Sequence, residues 1–108
     1  MAMTPEAKVK KIVRKQLDVI PRCYYFMPAT GGYGKSGVPD IVGSYNGRFF
    51  GIELKAGNNQ PTLLQQKNLY QIWISGGIAA VVNEDNMNDI EDILNEVEDA
   101  STQLELDL

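Results

Sequence analysis

The chain has 108 residues, 44% of them hydrophobic, with one cysteine, no histidine and a net charge of −4. That is enough for one domain with its own core, and no run approaches the roughly 18 apolar residues of a membrane span. Without histidine there is no Ser-His-Asp or Cys-His catalysis and little prospect of a zinc site, so any bound metal must be held by oxygen, which favours magnesium, manganese or calcium.

The lone Cys23 cannot form an internal disulfide, and the first residues lack the apolar segment of a signal peptide. Both point to an intracellular, cytoplasmic setting. Cys23 itself reads as a small buried hydrophobe. The net charge hides a division. Residues 1–67 hold all ten bases against four acids, for a net +6, whereas residues 84–108 hold ten acids and no base. A basic face suited to nucleic acid is therefore compatible with the low overall isoelectric point. The acidic segment also fits a plain solvated helix face.

Thr4-Pro5-Glu6 predicts a helix start, with threonine as cap, proline at the first position and an acid in the first turn. Val9, Val13, Gln16 or Leu17, and Ile20 continue at helical spacing, and Pro21 ends the segment. Glu6 shares that apolar stripe. This fits either an inward-facing carboxylate or an ordinary N-terminal acid favoured by the helix dipole. Lys8, Lys11, Arg14 and Lys15 fall on other faces, where they could meet phosphate. Cys23 to Met27 reads as a strand. A glycine-rich loop follows, Thr30-Gly31-Gly32-Tyr33-Gly34-Lys35-Ser36-Gly37.

With Ala29, that loop fits a relaxed phosphate-binding pattern. A true phosphate-binding loop runs into a helix whose N-terminal N–H groups meet the phosphates. Here Lys35-Ser36 is followed by Gly37, Pro39 and a predicted strand, so no nucleotide cofactor is expected. Tyr33, Lys35 and Ser36 read instead as a substrate loop near the site, Lys35 being suited to a phosphate. A merely solvated connection is the alternative.

Strands are expected at about 39–45 and 48–55, joined by Asn46-Gly47, a pair suited to a turn with positive φ at both central residues. A two-residue turn pairs Tyr45 with Arg48 and sets Asp40 opposite Glu53. Directly opposed Cβ atoms lie about 4.5–5.5 Å apart. Lys55, two residues beyond Glu53, points to the same face. The turn therefore brings two carboxylates and an ammonium together. Opposed carboxylates repel unless something cationic lies between them, and an oxygen-seeking divalent metal is the natural occupant. A solvated hairpin with a Glu–Lys pair accounts for Glu53 and Lys55 but leaves Asp40 unexplained.

Ala56 to Pro61 reads as a loop, and Thr62 as the cap of a second helix. Its apolar stripe is Leu64, Leu69, Ile72 and Trp73, with Gln65 in phase, and Gly76-Gly77 stops it. Ile78 to Val82 is a short apolar strand. Asp85 is expected to cap a last helix to about Asp99, with Met87, Ile90, Ile93, Leu94 and Val97 inward. Residues 101–108 alternate weakly and suit either disorder or a strand formed against a partner. The element order α-β-β-β-α-β-α predicts an α/β fold, a mixed central sheet flanked by helices. One domain is expected over 1–108, with a core of about 4–99 and a tail at 100–108.

Gly37-Val38-Pro39-Asp40, Glu53-Leu54-Lys55, the early Glu6 and the later Gln65 together resemble the PD-(D/E)XK nuclease superfamily. The closest resemblance is to its VRR-NUC branch, similar to archaeal Holliday-junction resolvases, over roughly residues 4–82. Leu63 stands where that family often has proline, and Gln66 is an alternative to Gln65. The resemblance implies a restriction-endonuclease-like αβββαβα core and Mg²⁺- or Mn²⁺-dependent hydrolysis of DNA to a 5′-phosphate and a 3′-hydroxyl. It implies metal binding by Asp40, Glu53, the Leu54 carbonyl and Glu6, directly or through water. Lys55 would position and help deprotonate the attacking water, and Gln65 would orient Lys55 or a phosphate oxygen. Short free-standing members are expected to be homodimers acting on branched DNA, and are often carried by phages or prophages. A DNA-binding or assembly module that keeps the fold without turnover is the competing reading.

Overall fold

The computed structural model describes residues 2–29 and 34–96. Helix α1 spans Pro5–Leu17, and its start follows the local chemistry: Thr4 Oγ1 accepts a hydrogen bond from Ala7 N at 3.1 Å, with Pro5 and Glu6 in the first turn. Val9, Val13 and Leu17 are its buried stripe. Strands β1 (Cys23–Phe26), β2 (Ile41–Tyr45) and β3 (Arg48–Leu54) form an antiparallel meander. Helix α2 (Leu63–Ile74) then crosses to β4 (Ile78–Val82), which pairs parallel to β3, and helix α3 covers Ile90–Asn95. The sheet order is β1-β2-β3-β4, the mixed sheet and the element order expected. Among the described residues no helix is long and apolar enough to cross a membrane.

The β2–β3 turn sets the register on which the site depends. Asn46 and Gly47 adopt φ 53° and 81°, and Tyr45 pairs with Arg48 as the two-residue loop requires. Gly47→Ala is expected to cost about 1 kcal/mol, because its left-handed backbone penalises any Cβ. A lower urea midpoint at constant slope checks this, and an unchanged midpoint would contradict it.

The two sheet faces differ in what covers them. Ile41, Tyr45, Phe50, Ile52, Leu54, Ile78 and Val82 pack with Val9, Val13 and Leu17 of α1 and Ile90 and Leu94 of α3. Gln16 fastens those helices together: its amide donates to Met87 O at 2.5 Å, and its carbonyl accepts from Ile90 N at 3.2 Å. The opposite face carries Gly51, and α2 lies against it. A Cβ on Gly51 would come within 2.7 Å of Ile72 and 2.9 Å of Pro39. Alternation along β3 therefore puts Glu53 and Lys55 on the α2 side.

One boundary and one packing face depart most from expectation. The last helix begins at Ile90, not near Asp85. Asn83 Oδ1 accepts from Asp85 N at 2.8 Å, Asn86 Oδ1 accepts from Asn83 N at 2.9 Å, and Asn86 Nδ2 donates to Val81 O at 3.0 Å. Those side chains hold the backbone in turns that compete with helix. The apolar stripe expected on α2 is also weaker than read: Leu64 is exposed, and the buried α2 residue is Asn68. Val97, the expected helix end near Asp99 and the weakly alternating residues 101–108 lie outside the described residues.

Candidate active site

Pro39, buried against the Gly51 position, delivers Asp40 to the mouth of β2. Asp40 Oδ2 accepts a hydrogen bond from Leu54 N at 2.8 Å, which ties the start of β2 to the end of β3. Glu53 lies one residue back, only 2% exposed, and Lys55 Nζ stands 3.6 Å from Glu53 Oε2. Lys55 N donates to Val82 O at 2.9 Å, so β4 fixes the backbone that carries the ammonium. Asp40, Glu53 and Lys55 thus meet on one face, in the arrangement the turn register dictates.

The electrostatics of this group are strained in one sense. Burial, followed by a hydrogen bond with Asp40 and repulsion from it, pushes the Glu53 carboxyl up to about 8, with Lys55 only partly offsetting these effects. Glu53 Oε1 is buried with no hydrogen-bond partner among the described residues. An orphaned carboxylate oxygen beside a second carboxylate needs one positive charge between them. A proton supplies it at low pH, and a hard divalent cation can supply it at higher pH. The donor set of two carboxylates, with no nitrogen or sulfur ligand among the described residues, fits magnesium or manganese.

Other residues singled out from the sequence are placed differently. Glu6 is exposed in the first turn of α1, and among the described residues no third Asp, Glu, His or Cys joins Asp40 and Glu53 in a metal-sized group. Gln65 is committed elsewhere. Its Oε1 accepts from Thr62 N at 2.9 Å while its own N donates to Thr62 Oγ1 at 3.2 Å, a reciprocal cap on α2. The alternative, Gln66, donates to Pro61 O at 3.0 Å. Lys8, Lys11 and Lys15 are exposed on α1, across the sheet from Glu53. Tyr33 lies outside the described residues.

The Lys35–Ser36 segment does reach the α2 side. Asn68 donates to Ser36 O at 3.2 Å and to Leu64 O at 2.9 Å, and Lys35 Nζ lies 3.4 Å from Gln71 Oε1. Ser36 leads through a turn into β2, not into a helix. Gly37 has φ 76°, and a Cβ there would come within 2.5 Å of Leu64 Cγ, so the segment is seated on α2. Asn68 was not legible as a site residue. Its only signal is polarity at the centre of the α2 helix. Glu84 was missed as well: both its carboxylate oxygens accept from Gly57 N, at 3.1 and 3.2 Å, and so hold the loop that follows Lys55. Cys23 is half-buried, and burial pushes its thiol up, in keeping with a packing role.

No protein-family model matches this chain, and no curated protein matches it in sequence. Solved structures do match the fold. One, described as a VRR_NUC domain protein, superposes with a TM-score of 0.65 over 91% of this chain and 93% of its own length, at 19% sequence identity. The chain therefore shares the architecture of a VRR_NUC domain.

Proposed function

We propose that this chain is a metal-dependent DNA endonuclease of the VRR-NUC type, acting as a homodimer on branched DNA. The observation that carries the reading is the meeting of Asp40, the buried Glu53 and Lys55 on one sheet face, with Glu53 Oε1 lacking a partner among the described residues. The shared fold of the VRR_NUC domain protein supports it.

On this reading Asp40, Glu53 and the Leu54 carbonyl hold Mg²⁺ or Mn²⁺. Glu6 contributes at most through water. A bound divalent ion supplies charge stabilisation at the phosphoryl oxygen and a more acidic water. Lys55, held by its backbone bond to β4 and by Glu53, orients the attacking water, and its positive charge stabilises the hydroxide that forms as the water's proton passes to solvent. Asp40 keeps the end of β3 in place through Leu54 N, so the two carboxylates cannot swing apart without breaking the strand end. Lys35 and Ser36, seated on α2, contact phosphate on the same side. Lys8, Lys11 and Lys15, across the sheet on α1, add only long-range attraction for the DNA and do not touch the strand at the site. Two sites related by a two-fold axis suit paired cuts in a symmetric four-way junction.

The test is a cleavage panel of labelled four-way junction, flap and intact duplex with a titration of Mg²⁺ and Mn²⁺. The expected result is metal-dependent cutting, fastest on the junction, leaving 5′-phosphate ends. Binding without cutting at any metal concentration would instead identify a non-catalytic DNA-binding module.

A further inference from the structure

The α2-side face of the sheet is only partly covered. Helix α2 packs over β3 and β4, as the contacts at Gly51 and Gly77 show. Along β1 and near the start of β3, large aromatic side chains on this face are exposed, although Val42 between them is buried. Tyr24 is 73% exposed, Phe26 53% and Phe49 49%. The pairing puts them in adjacent rows: Tyr24, Ser44 and Phe49 in one, Phe26, Val42 and Gly51 in the next. Continuing the register by one more row reaches Asp40 and Glu53. Single exposed aromatics need no explanation, but a contiguous patch does.

We propose that this face is a stacking platform for unpaired DNA bases beside the scissile phosphate. Tyr24 and Phe26 lie two residues apart, about 7 Å along β1, and Phe49 lies two strands, roughly 10 Å, across from Tyr24 in the same row, spacings over which successive unpaired bases can each meet a ring. A cation accompanies Phe49. Lys35 and Phe49 line the same groove of about 480 Å³ between the sheet and α2, along with Asn68 and Gln71. Aromatic side chains beside a lysine, on the face that also carries the carboxylates, form a surface for a nucleic-acid strand. The inference deepens the nuclease reading and rests on it, for it makes the favoured junction one whose bases splay apart at the branch point beside the cut.

The experiment measures binding of a fluorescent oligothymidine and of an equal-length duplex by anisotropy in EDTA, so that cutting does not enter. Tyr24→Ser, Phe26→Ser and Phe49→Ser are each expected to lower the ratio of oligothymidine to duplex affinity about tenfold. Phe26→Trp is expected to keep that ratio and to add to the emission of Trp73 an indole signal that oligothymidine quenches, with wild type as the blank. Its retention separates lost stacking from lost fold. Ratios equal to wild type in all three serine variants would overturn the proposal. So would variants that convert a dimer to monomers in sedimentation while binding oligothymidine normally, which would make the face a contact between copies. If oligothymidine binds as expected but no DNA is ever cut, the platform stands and the nuclease reading fails.

Discussion

Asp40→Asn is expected to slow DNA cleavage at least ~10³-fold, which corresponds to about 4 kcal/mol of lost barrier lowering. The substitution is chosen because it spares the fold. An asparagine Oδ1 can still accept the hydrogen bond that Asp40 Oδ2 takes from Leu54 N at 2.8 Å, so the end of β3 keeps its anchor. What disappears is one of the two negative charges that face each other, and with it the affinity for a hard cation. Lys55→Ala is expected to lose about 10²–10⁴ of the rate, while DNA binding in EDTA falls only slightly. The measurement is single-turnover cleavage of a labelled junction in saturating Mn²⁺, with a thermal melt of each variant alongside. If either variant cuts within tenfold of wild type, the chemistry does not run through this group. The contrasting control is Glu6→Gln, which should stay within tenfold, because the exposed Glu6 is not grouped with Asp40 and Glu53.

The site was legible in the sequence to the extent that backbone geometry alone determines it. Asn46-Gly47 fixes a two-residue turn, the turn fixes the register, and the register sets Asp40 against Glu53 without any knowledge of tertiary packing. Helix α1 was equally open to reading, since Thr4, Pro5 and Glu6 act within one turn. Periodicity proved weaker where polar side chains bond locally. Gln65 is in phase with α2, yet the nearest backbone donor is Thr62 N, three residues away, and the capping box claims it. Asn83, Asp85 and Asn86 resemble a helix start but close turns on themselves and delay α3 to Ile90. Long-range polar fasteners were out of reach altogether. The bonds from Gln16 to Met87 and Ile90, from Asn68 to Ser36 and from Glu84 to Gly57 join residues whose proximity only the folded chain creates. The exposed aromatic patch on the sheet was hidden for a related reason. Tyr24 and Phe26 look like strand residues in sequence, and only the folded chain shows that they stay largely exposed.

Without metal, wild-type protein is expected to melt at a progressively lower temperature as pH rises from about 5 to 9, and Glu53→Gln to lose much of that slope. The folded Glu53 carboxyl lies at about 8 against an ordinary value of 4.5, mainly through burial and then through Asp40. Between those two values the folded state holds a proton that the unfolded state has released, so stability falls with rising pH. Below 4.5 both states are protonated and Glu53 imposes no cost; above 8 the cost is complete. Its size is on the order of a few kcal/mol, and each kcal/mol moves the midpoint by about 4–8 °C in a domain of this size. Glutamine keeps the shape and the neutral form at every pH, so the variant should melt higher than wild type at pH 9 and close to it at pH 5. Manganese should reverse the order. At a hundred times its dissociation constant a ligand adds about 2.7 kcal/mol, which wild type should gain at pH 8 and Glu53→Gln should not. The same ion should stabilise wild type far less at pH 5, where a proton already lies between the two carboxyls. Melting curves that run parallel for both proteins from pH 5 to 9, with no difference in their response to manganese, would mean that Glu53 carries no buried charge and that no cation replaces its proton.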